Sequence, residues 1–334
     1  MSFSARKVNW GVLSTAHIGP RAVIPAIQQS INGQVVAIAS RSESKARETA
    51  KALGIPRSYG SYIELLQSSV VDAVYIPLPN SMHREWTIRA AEMGKHVLCE
   101  KPISMNSREC EEMILACQRH NVWLMEGFMY RFHPQIVMLR EIISAGLIGR
   151  ISSIRSAFRT ETKDPESIRY QKELGGGALM DVGCYCVNVV RLLTNQEPIY
   201  VQGVARFNEE KNVDETFAGL MRFPNSELAV FDCGFRSSFH QAVEVVGDNG
   251  TLQLSTPFIP GDSPIIVKHS DRTDTIACET ANHYRLMVEH FADCVLNDHE
   301  PRYPPTDGLN NMRIIDMLYQ SVRPSSNSAQ LDKA

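Results

Sequence analysis

Along the first third of the chain, short apolar runs alternate with amphipathic stretches. Residues 6–13, RKVNWGVL, alternate and then turn apolar, and they run into STAHIGPRAVIPAIQQ, whose Ile18, Val23, Ile24 and Ile27 have helical spacing. A strand at 34–40, QVVAIAS, completes a β-α-β unit of the length that a right-handed crossover requires. The pattern continues with a helix at 42–53, a short helix at 61–66, a strand at 72–77 and a helix at 81–94. It then gives the strand HVLC at 96–99, a helix at 106–119 with Asn106 as N-cap, and a strand at 121–125. Regular alternation of this kind predicts a doubly wound parallel sheet.

After about residue 126 the pattern changes. A helix at 134–145 leads to a strand at 151–160, and a helix starting near Gly177 carries Asp181 and Tyr185. Strands then follow one another near 199–207, 214–223, 227–235, 241–246 and 250–255, with turn signals at Pro224-Asn225 and Asp248-Asn249-Gly250. That succession predicts a mostly antiparallel sheet. Helices at 282–297 and 307–321 close the chain before a polar tail, SSNSAQLDKA, which is expected to be mobile.

The 334 residues exceed one ordinary domain and suggest two. Hydrophobic residues at 43% and charged residues at 21% fit a soluble globular protein, and a net charge of -3 gives no reason to expect nucleic acid. No apolar run approaches the roughly 18 residues of a membrane span, and MSFSARKVNW enters a strand without a signal-peptide segment, so a cytoplasmic protein is expected. Seven of the eight cysteines sit in periodic apolar segments and none forms a CxxC pair. Cys184 and Cys186 are two apart, the wrong spacing for a zinc ribbon, and the ten histidines include no HExxH, so no protein metal site is expected.

Three stretches carry candidate chemistry. In HVLCEKP, residues 96–102, a buried strand ends abruptly in Glu100, Lys101 and Pro102, which puts Lys101 at the carboxyl edge where open parallel sheets bind ligands. An ordinary surface lysine fits the same seven residues. In the first turn, GVLSTAHIG has the position and length of a dinucleotide fingerprint, with Ser14 and Ala16 where glycines are usual and Gly19 kept. The helix N-terminus behind it suits phosphates, and Thr15 could add a hydroxyl. A plain strand-to-helix turn reads equally well. At the end of the second strand Ser40 and Arg41, with Lys45 a turn later, stand where an acid would take the ribose of NAD, and they suit a 2′-phosphate, favouring NADP. IPLPNSMH places Pro79, Asn80 and His83 at another carboxyl edge, where Asn80 or Ser81 also serves as an N-cap.

In LGGGALMDVGCYCVNVV, Asp181 and Tyr185 are four apart and are expected on one helix face, while Gly175, Gly176 and Gly177 would let backbone approach a ligand. A dipole partner and a half-buried core aromatic are the plainer readings of that pair. Moving a hydride between an alcohol carbon and nicotinamide needs a group that takes and returns the hydroxyl proton. A phenol near an ammonium gains acidity, so Lys101 would draw Tyr185 toward the working range, with Asp181 opposing.

Together these segments resemble the Gfo/Idh/MocA family of glucose-fructose oxidoreductase and inositol dehydrogenase. The resemblance runs from Trp10 to about Tyr319 and rests on VNWGVLSTAHIG, VYIPLPNSMH, GKHVLCEKP, MEGFMYRFHP and LGGGALMDVGCY in that order. It implies an α/β protein with an N-terminal dinucleotide-binding Rossmann domain at 1–126. A C-terminal α+β substrate domain with a large open sheet would follow at 127–324, leaving the tail at 325–334, and that sheet implies a homodimer or homotetramer. It further implies that Lys101 contacts both the nicotinamide ribose and the substrate and that Asp181 shares the site. Tyr185 stands where many inositol dehydrogenases have histidine, which resembles the glucose-fructose oxidoreductase, dihydrodiol dehydrogenase and NADP-dependent xylose dehydrogenase branch. Arg169 sits where that branch has a residue near the nicotinamide. The implied cofactor neighbours are Ser14, Thr15, Ala16, His17, Ile18, Ser40, Arg41, Lys45, Leu78, Pro79, Asn80, His83, Glu100, Lys101 and Arg169. The missing arm of the periplasmic glucose-fructose oxidoreductase implies that the cofactor is not permanently held.

The expected activity is NADP(H)-dependent oxidation of an aldose at its anomeric carbon, with Lys101, Asp181 and Tyr185 as the catalytic group and NAD the less favoured cofactor. The alternatives are a keto-sugar reductase or a dihydrodiol dehydrogenase, in which Phe128, Phe132 and Phe158 line a flatter apolar pocket or belong to the core. A non-catalytic NADP(H) sensor is the alternative from another class.

Overall fold

Apolar strands without alternation need cover on both faces, and those at the centre of the first sheet have it. The computed structural model describes residues 6–322, so the expected tail lies outside the described residues. β1 (Val8–Leu13), β2 (Gly33–Ala39), β3 (Arg57–Tyr59), β4 (Ala73–Ile76), β5 (His96–Cys99) and β6 (Leu124–Glu126) form an all-parallel sheet in the order β3-β2-β1-β4-β5-β6. Helices α1 (Ile24–Gln29), α2 (Glu43–Leu53), α3 (Tyr62–Gln67), α4 (Asn80–Glu92) and α5 (Ser107–Arg119) connect them. Trp10, Val12, Tyr75 and Leu98 are fully enclosed, as parallel strands require. The strand order reverses between β1 and β4, which opens a crevice at their carboxyl ends.

Side-chain caps set the helix starts. Asn106 accepts the Glu109 N–H at 3.0 Å, as its position predicts, and Ser42 and Ser61 cap α2 and α3. The sequence pattern missed β3, whose Arg57, Ser58 and Tyr59 form a three-residue edge strand against Ala37, Ile38 and Ala39 with no apolar alternation to announce it.

A short 3₁₀ turn at Met129–Phe132 leads into α6 (Pro134–Ser144) and β7 (Ile151–Glu161), and α7 (Cys184–Thr194) follows a π-turn at Leu179–Gly183. Then come β8 (Tyr200–Phe207), β9 (Asp214–Arg222), β10 (Leu228–Gly234), β11 (Arg236–Gly247), β12 (Thr251–Leu254), β13 (Ile265–Lys268) and β14 (Thr273–Ile276). Helices α8 (His283–Asn297) and α9 (Pro305–Ser321) end the described chain. The second sheet has eight strands in the order β14-β13-β12-β11-β7-β10-β9-β8, antiparallel except where β10 runs parallel to β7. Strands β13 and β14 were not read from the sequence, because each has only four residues within a polar, turn-rich stretch.

Register sorts the faces of this sheet. The row Val201, Met221, Ala229, Ile154 and Val245 is buried on the side where α7 packs. The next row over, Gln202, Leu220, Val230, Arg155 and Glu244, lies on the open face, where Tyr200, Val204 and Leu228 are also exposed. Helix α8 returns to the first sheet, with Phe291 5.7 Å from Trp10 between ring centroids and the Asn32 amide donating to the Glu289 carbonyl at 2.8 Å. The stretch Lys172–Thr194 is long and apolar enough to cross a membrane, yet 83% of its apolar window is buried within the protein. All eight thiols are free and seven are buried.

Candidate active site

The carboxyl ends of β1, β2, β4 and β5 bring together most of the residues implied for a nucleotide. Ser14 has φ 140°, backbone that favours glycine, and its hydroxyl accepts the Ala16 N–H at 2.9 Å. The turn thus keeps a glycine-like path without the glycine. Thr15, Ala16 and Ile18 are half-buried and His17 is exposed on its rim. Arg41 and Lys45 are both exposed, and among the described residues neither has a carboxylate partner. Ser40 is buried, and its hydroxyl accepts the Ser42 N–H at 3.2 Å.

His83 corrects an expectation. It is fully enclosed, with Nδ1 3.0 Å from the Pro102 carbonyl and Nε2 2.8 Å from that of Leu78, and burial lowers its pKa to about 4. The ring is enclosed between the ends of β4 and β5, beside one carbonyl from each, and offers no surface to a cofactor. Glu100 is likewise committed inward, because the Tyr75 hydroxyl donates to its carboxylate at 2.6 Å, and burial pushes its pKa up. Leu78 is also buried, leaving Pro79 and Asn80 half-exposed at this edge.

Lys101 follows β5 and points at the π-turn. Its Nζ donates to the Asp181 main-chain oxygen at 2.8 Å and to the carboxylate at 3.4 Å, and it lies 5.1 Å from the centre of the Tyr185 ring. Arg169 donates through Nε to the other Asp181 oxygen at 2.5 Å. Burial pulls the Lys101 ammonium down, but the negative fields of Asp181 foremost and of Glu100 outweigh it, and its pKa stands above the ordinary value. Burial pushes the Asp181 carboxyl up, Lys101 and Arg169 override that, and it stays below the usual range. A charged triad of one acid and two bases therefore persists across neutral pH.

Tyr185 differs from expectation in two ways. The intervening π-turn carries Asp181 while α7 carries Tyr185, so the two do not share the face of one regular helix, and Lys101 is what they have in common. The phenol is not drawn toward neutral pH: burial, followed by Tyr284 and Glu100, raises its pKa well above the ordinary value. Its hydroxyl donates to the Met129 sulfur at 3.5 Å, and its ring sits among Phe128 at 5.0 Å, Phe158 at 5.3 Å and Phe258 at 5.5 Å between centroids. Phe128 and Phe158 thus stand beside Tyr185, while Phe132 packs on His290 and Tyr303 away from it.

The glycines before the π-turn bring backbone close to protein, not to open space. Gly175 has φ +82°, its carbonyl accepts the Asn80 amide at 2.8 Å, and a Cβ there would lie 2.7 Å from that of Asn80. Gly177 has φ +117°, and a Cβ would lie 2.3 Å from an Asp214 oxygen that takes the Tyr319 hydroxyl at 2.8 Å. Behind this turn a cavity of ≈ 500 Å³ is lined by Met180, Phe207, Asp214 and Tyr319, apart from Lys101.

Sequence reasoning missed Met129, Glu126 and Phe258. The first two had a signal, since MEGFMYRFHP begins within β6 and runs on from its carboxyl end; Phe258 had none, lying in an irregular stretch after β12. Glu126 accepts the Ile103 N–H at 2.9 Å and so anchors the loop that holds Lys101.

Residues 8–128 match the model of the oxidoreductase family with an NAD-binding Rossmann fold, and residues 136–253 match the GFO/IDH/MocA C-terminal domain. The chain is 36% identical to D-xylose 1-dehydrogenase (NADP(+)) 2 of Haloferax volcanii, covering 97% of this chain and 99% of that protein. It is 32% identical to trans-1,2-dihydrobenzene-1,2-diol dehydrogenase of Xenopus laevis, covering 86% and 89%. Among solved structures, a 3-ketoreductase from Actinomadura kijaniata in complex with NADP and TDP-benzene superposes with a TM-score of 0.91 at 29% identity, over 95% of this chain and 98% of that one.

Proposed function

Because the chain belongs to the GFO/IDH/MocA family of oxidoreductases, we propose that it interconverts a sugar hydroxyl and carbonyl with NADP(H), acting foremost on an aldose at its anomeric carbon. The observation that carries this reading is the Lys101 ammonium, bound to Asp181 and lying over Tyr185 at the crevice edge. When bound, NADP(H) supplies or accepts the hydride.

The fit of the cofactor rests on the donor set. Among the described residues Arg41 and Lys45 have no carboxylate partner, and they offer two cations for a 2′-phosphate. Thr15, Ala16, His17, Ile18, Pro79, Asn80 and Arg169 would complete the holding surface. The 36% identity to an NADP-dependent xylose dehydrogenase supports both cofactor and sugar.

In this reading Tyr185 exchanges a proton with the substrate oxygen, and Lys101 lends that oxygen positive charge. Asp181 keeps the ammonium charged and in place, and Arg169 holds the Asp181 carboxylate from its other oxygen. Substrate oxygen is a better acceptor than the Met129 sulfur that holds the hydroxyl, so the exchange is favourable. A second reading, reduction of a keto-sugar or action on a dihydrodiol, is favoured by the raised Tyr185 pKa, which keeps the phenol a proton donor, and by the aromatic rings around it.

The open face of the second sheet, with Tyr200, Val204, Leu220, Leu228 and Val230 exposed, supports a homodimer or homotetramer built on that face. The test of the reaction is the absorbance of reduced nicotinamide with NADP and then NAD against aldoses and dihydrodiols, and with NADPH against keto-sugars, using Lys101→Ala as blank. NADP reduction by an aldose, absent in the blank, is expected. Silence in both directions with cofactor bound would overturn the assignment in favour of a sensor.

A further inference from the structure

The π-turn that carries Asp181 follows Ala178, a residue with no side-chain acceptor to cap it. The first N–H groups of such a turn need an acceptor from elsewhere, and here it comes from 35 residues further along the chain. Asp214, the first residue of β9, is 1% exposed and accepts the Leu179 N–H through Oδ2 at 2.7 Å. Its Oδ1 accepts the hydroxyl of Tyr319, from α9, at 2.8 Å, and the Tyr319 ring packs edge-on to Phe217 at 6.0 Å between centroids. Gly177 lies against the same oxygen with φ +117°, and a Cβ there would collide with it. The carboxylate is thus fixed by α9 on one side and closes on the turn with the other.

From Asp214 the contacts run on to the reacting groups. The Gly177 carbonyl accepts the Asp181 N–H at 3.0 Å, and the Gly177 N–H donates to the Arg169 carbonyl at 3.0 Å. Asp181 in turn holds the Lys101 ammonium through its main-chain oxygen at 2.8 Å. No rotamer change can re-aim a main-chain oxygen, so the place of Lys101 depends on where the turn is held. Burial raises the Asp214 pKa to about 6 against the hydrogen bonds from Leu179 and Tyr319, which leaves the group ionised and a strong acceptor at neutral pH.

We propose that Asp214, steadied by Tyr319, is a positioning residue of the reaction, fixing the π-turn so that Asp181 presents its main-chain and carboxylate oxygens to Lys101. This rests on the reading that Lys101 acts on the substrate oxygen. The test compares the basic limb of the kcat/KM profile in the wild type, Asp214→Ala, Asp214→Asn, Asp181→Asn and the double variant of Asp181→Asn with Asp214→Ala, with melting temperature as the folding control. Asp214→Ala should move the limb to lower pH by about half a pH unit or more. Asp214→Asn, whose amide oxygen still accepts the Leu179 N–H, should restore most of the wild-type position. In the Asp181→Asn background, Asp214→Ala should move the limb no further. A limb unmoved by Asp214→Ala, or moved equally in both backgrounds, would overturn the proposal. If Asp214→Ala does not fold, Tyr319→Phe takes its place in the cycle and the same outcomes decide. If no sugar is turned over, or Asp181→Asn itself leaves the limb in place, the reading of Lys101 fails, and an NMR titration of the Lys101 side chain in the same variants decides the positioning. A Lys101 pKa lowered by Asp214→Ala upholds it, and an unmoved one overturns it.

Discussion

Lys101 donates to the main-chain oxygen of Asp181 at 2.8 Å across eighty residues of sequence, which ties the carboxyl end of β5 to the π-turn that precedes α7. The contact joins the two sheets of the protein at the crevice. Because Asp181 is the foremost group raising the Lys101 pKa against burial, Asp181→Asn should let that pKa fall. The sign is fixed: the ammonium then loses its proton at lower pH. The basic limb of the kcat/KM profile should move to lower pH in the variant, and an unmoved limb would remove Lys101 from the reaction.

Arg41 and Lys45 are expected to set cofactor choice. A charge-assisted hydrogen bond to a phosphate contributes about 1.5–3 kcal/mol, so Arg41→Ala should raise KM for NADP by about tenfold or more while barely moving that for NAD. Initial rates with both cofactors check this.

At Ser14 the strained backbone and the hydroxyl bond to Ala16 oppose each other. Ser14→Gly relieves the strain and loses the bond, so its stability should equal or exceed that of the wild type. Ser14→Ala keeps the Cβ and loses the acceptor, and it should be less stable by about 1–2 kcal/mol. Chemical denaturation of the two variants distinguishes these outcomes.

Glu126 gives a pH signature in stability. Burial, opposed by Arg131 and reinforced by Asp307, raises its carboxyl from 4.5 to about 7. The folded state therefore binds the proton more tightly, and the associated stability is full below the unfolded value of 4.5 and lost as pH rises through about 7. Glu126→Gln does not ionise, so its stability relative to the wild type should rise by about 1–3 kcal/mol between about pH 5 and pH 8. Melting temperatures across that range provide the check.

The parallel sheet was legible because its strands are continuous apolar runs between amphipathic helices, and Lys101 because a proline halts such a run. What escaped was set by tertiary contact. β13 and β14 are four-residue pieces that exist as strands through pairing with β12, and the π-turn under Asp181 has no periodicity to mark it. The glycine run at 175–177 was visible, but its purpose was not, since Asn80 and Asp214 come from distant parts of the chain. Tyr185 came to the proposed site through the family resemblance, since its segment alone reads as core. Its raised pKa depends on Phe128, Phe158 and Phe258, whose convergence no spacing reveals.

The most direct test of the account is kcat for Tyr185→Phe alongside NADPH binding by fluorescence. The hydroxyl has a thioether as its partner, so its loss should leave folding and cofactor affinity nearly intact. Turnover should fall by about 10²-fold or more. A folded Tyr185→Phe variant that binds NADPH and turns over at the wild-type rate would contradict the role given to this residue.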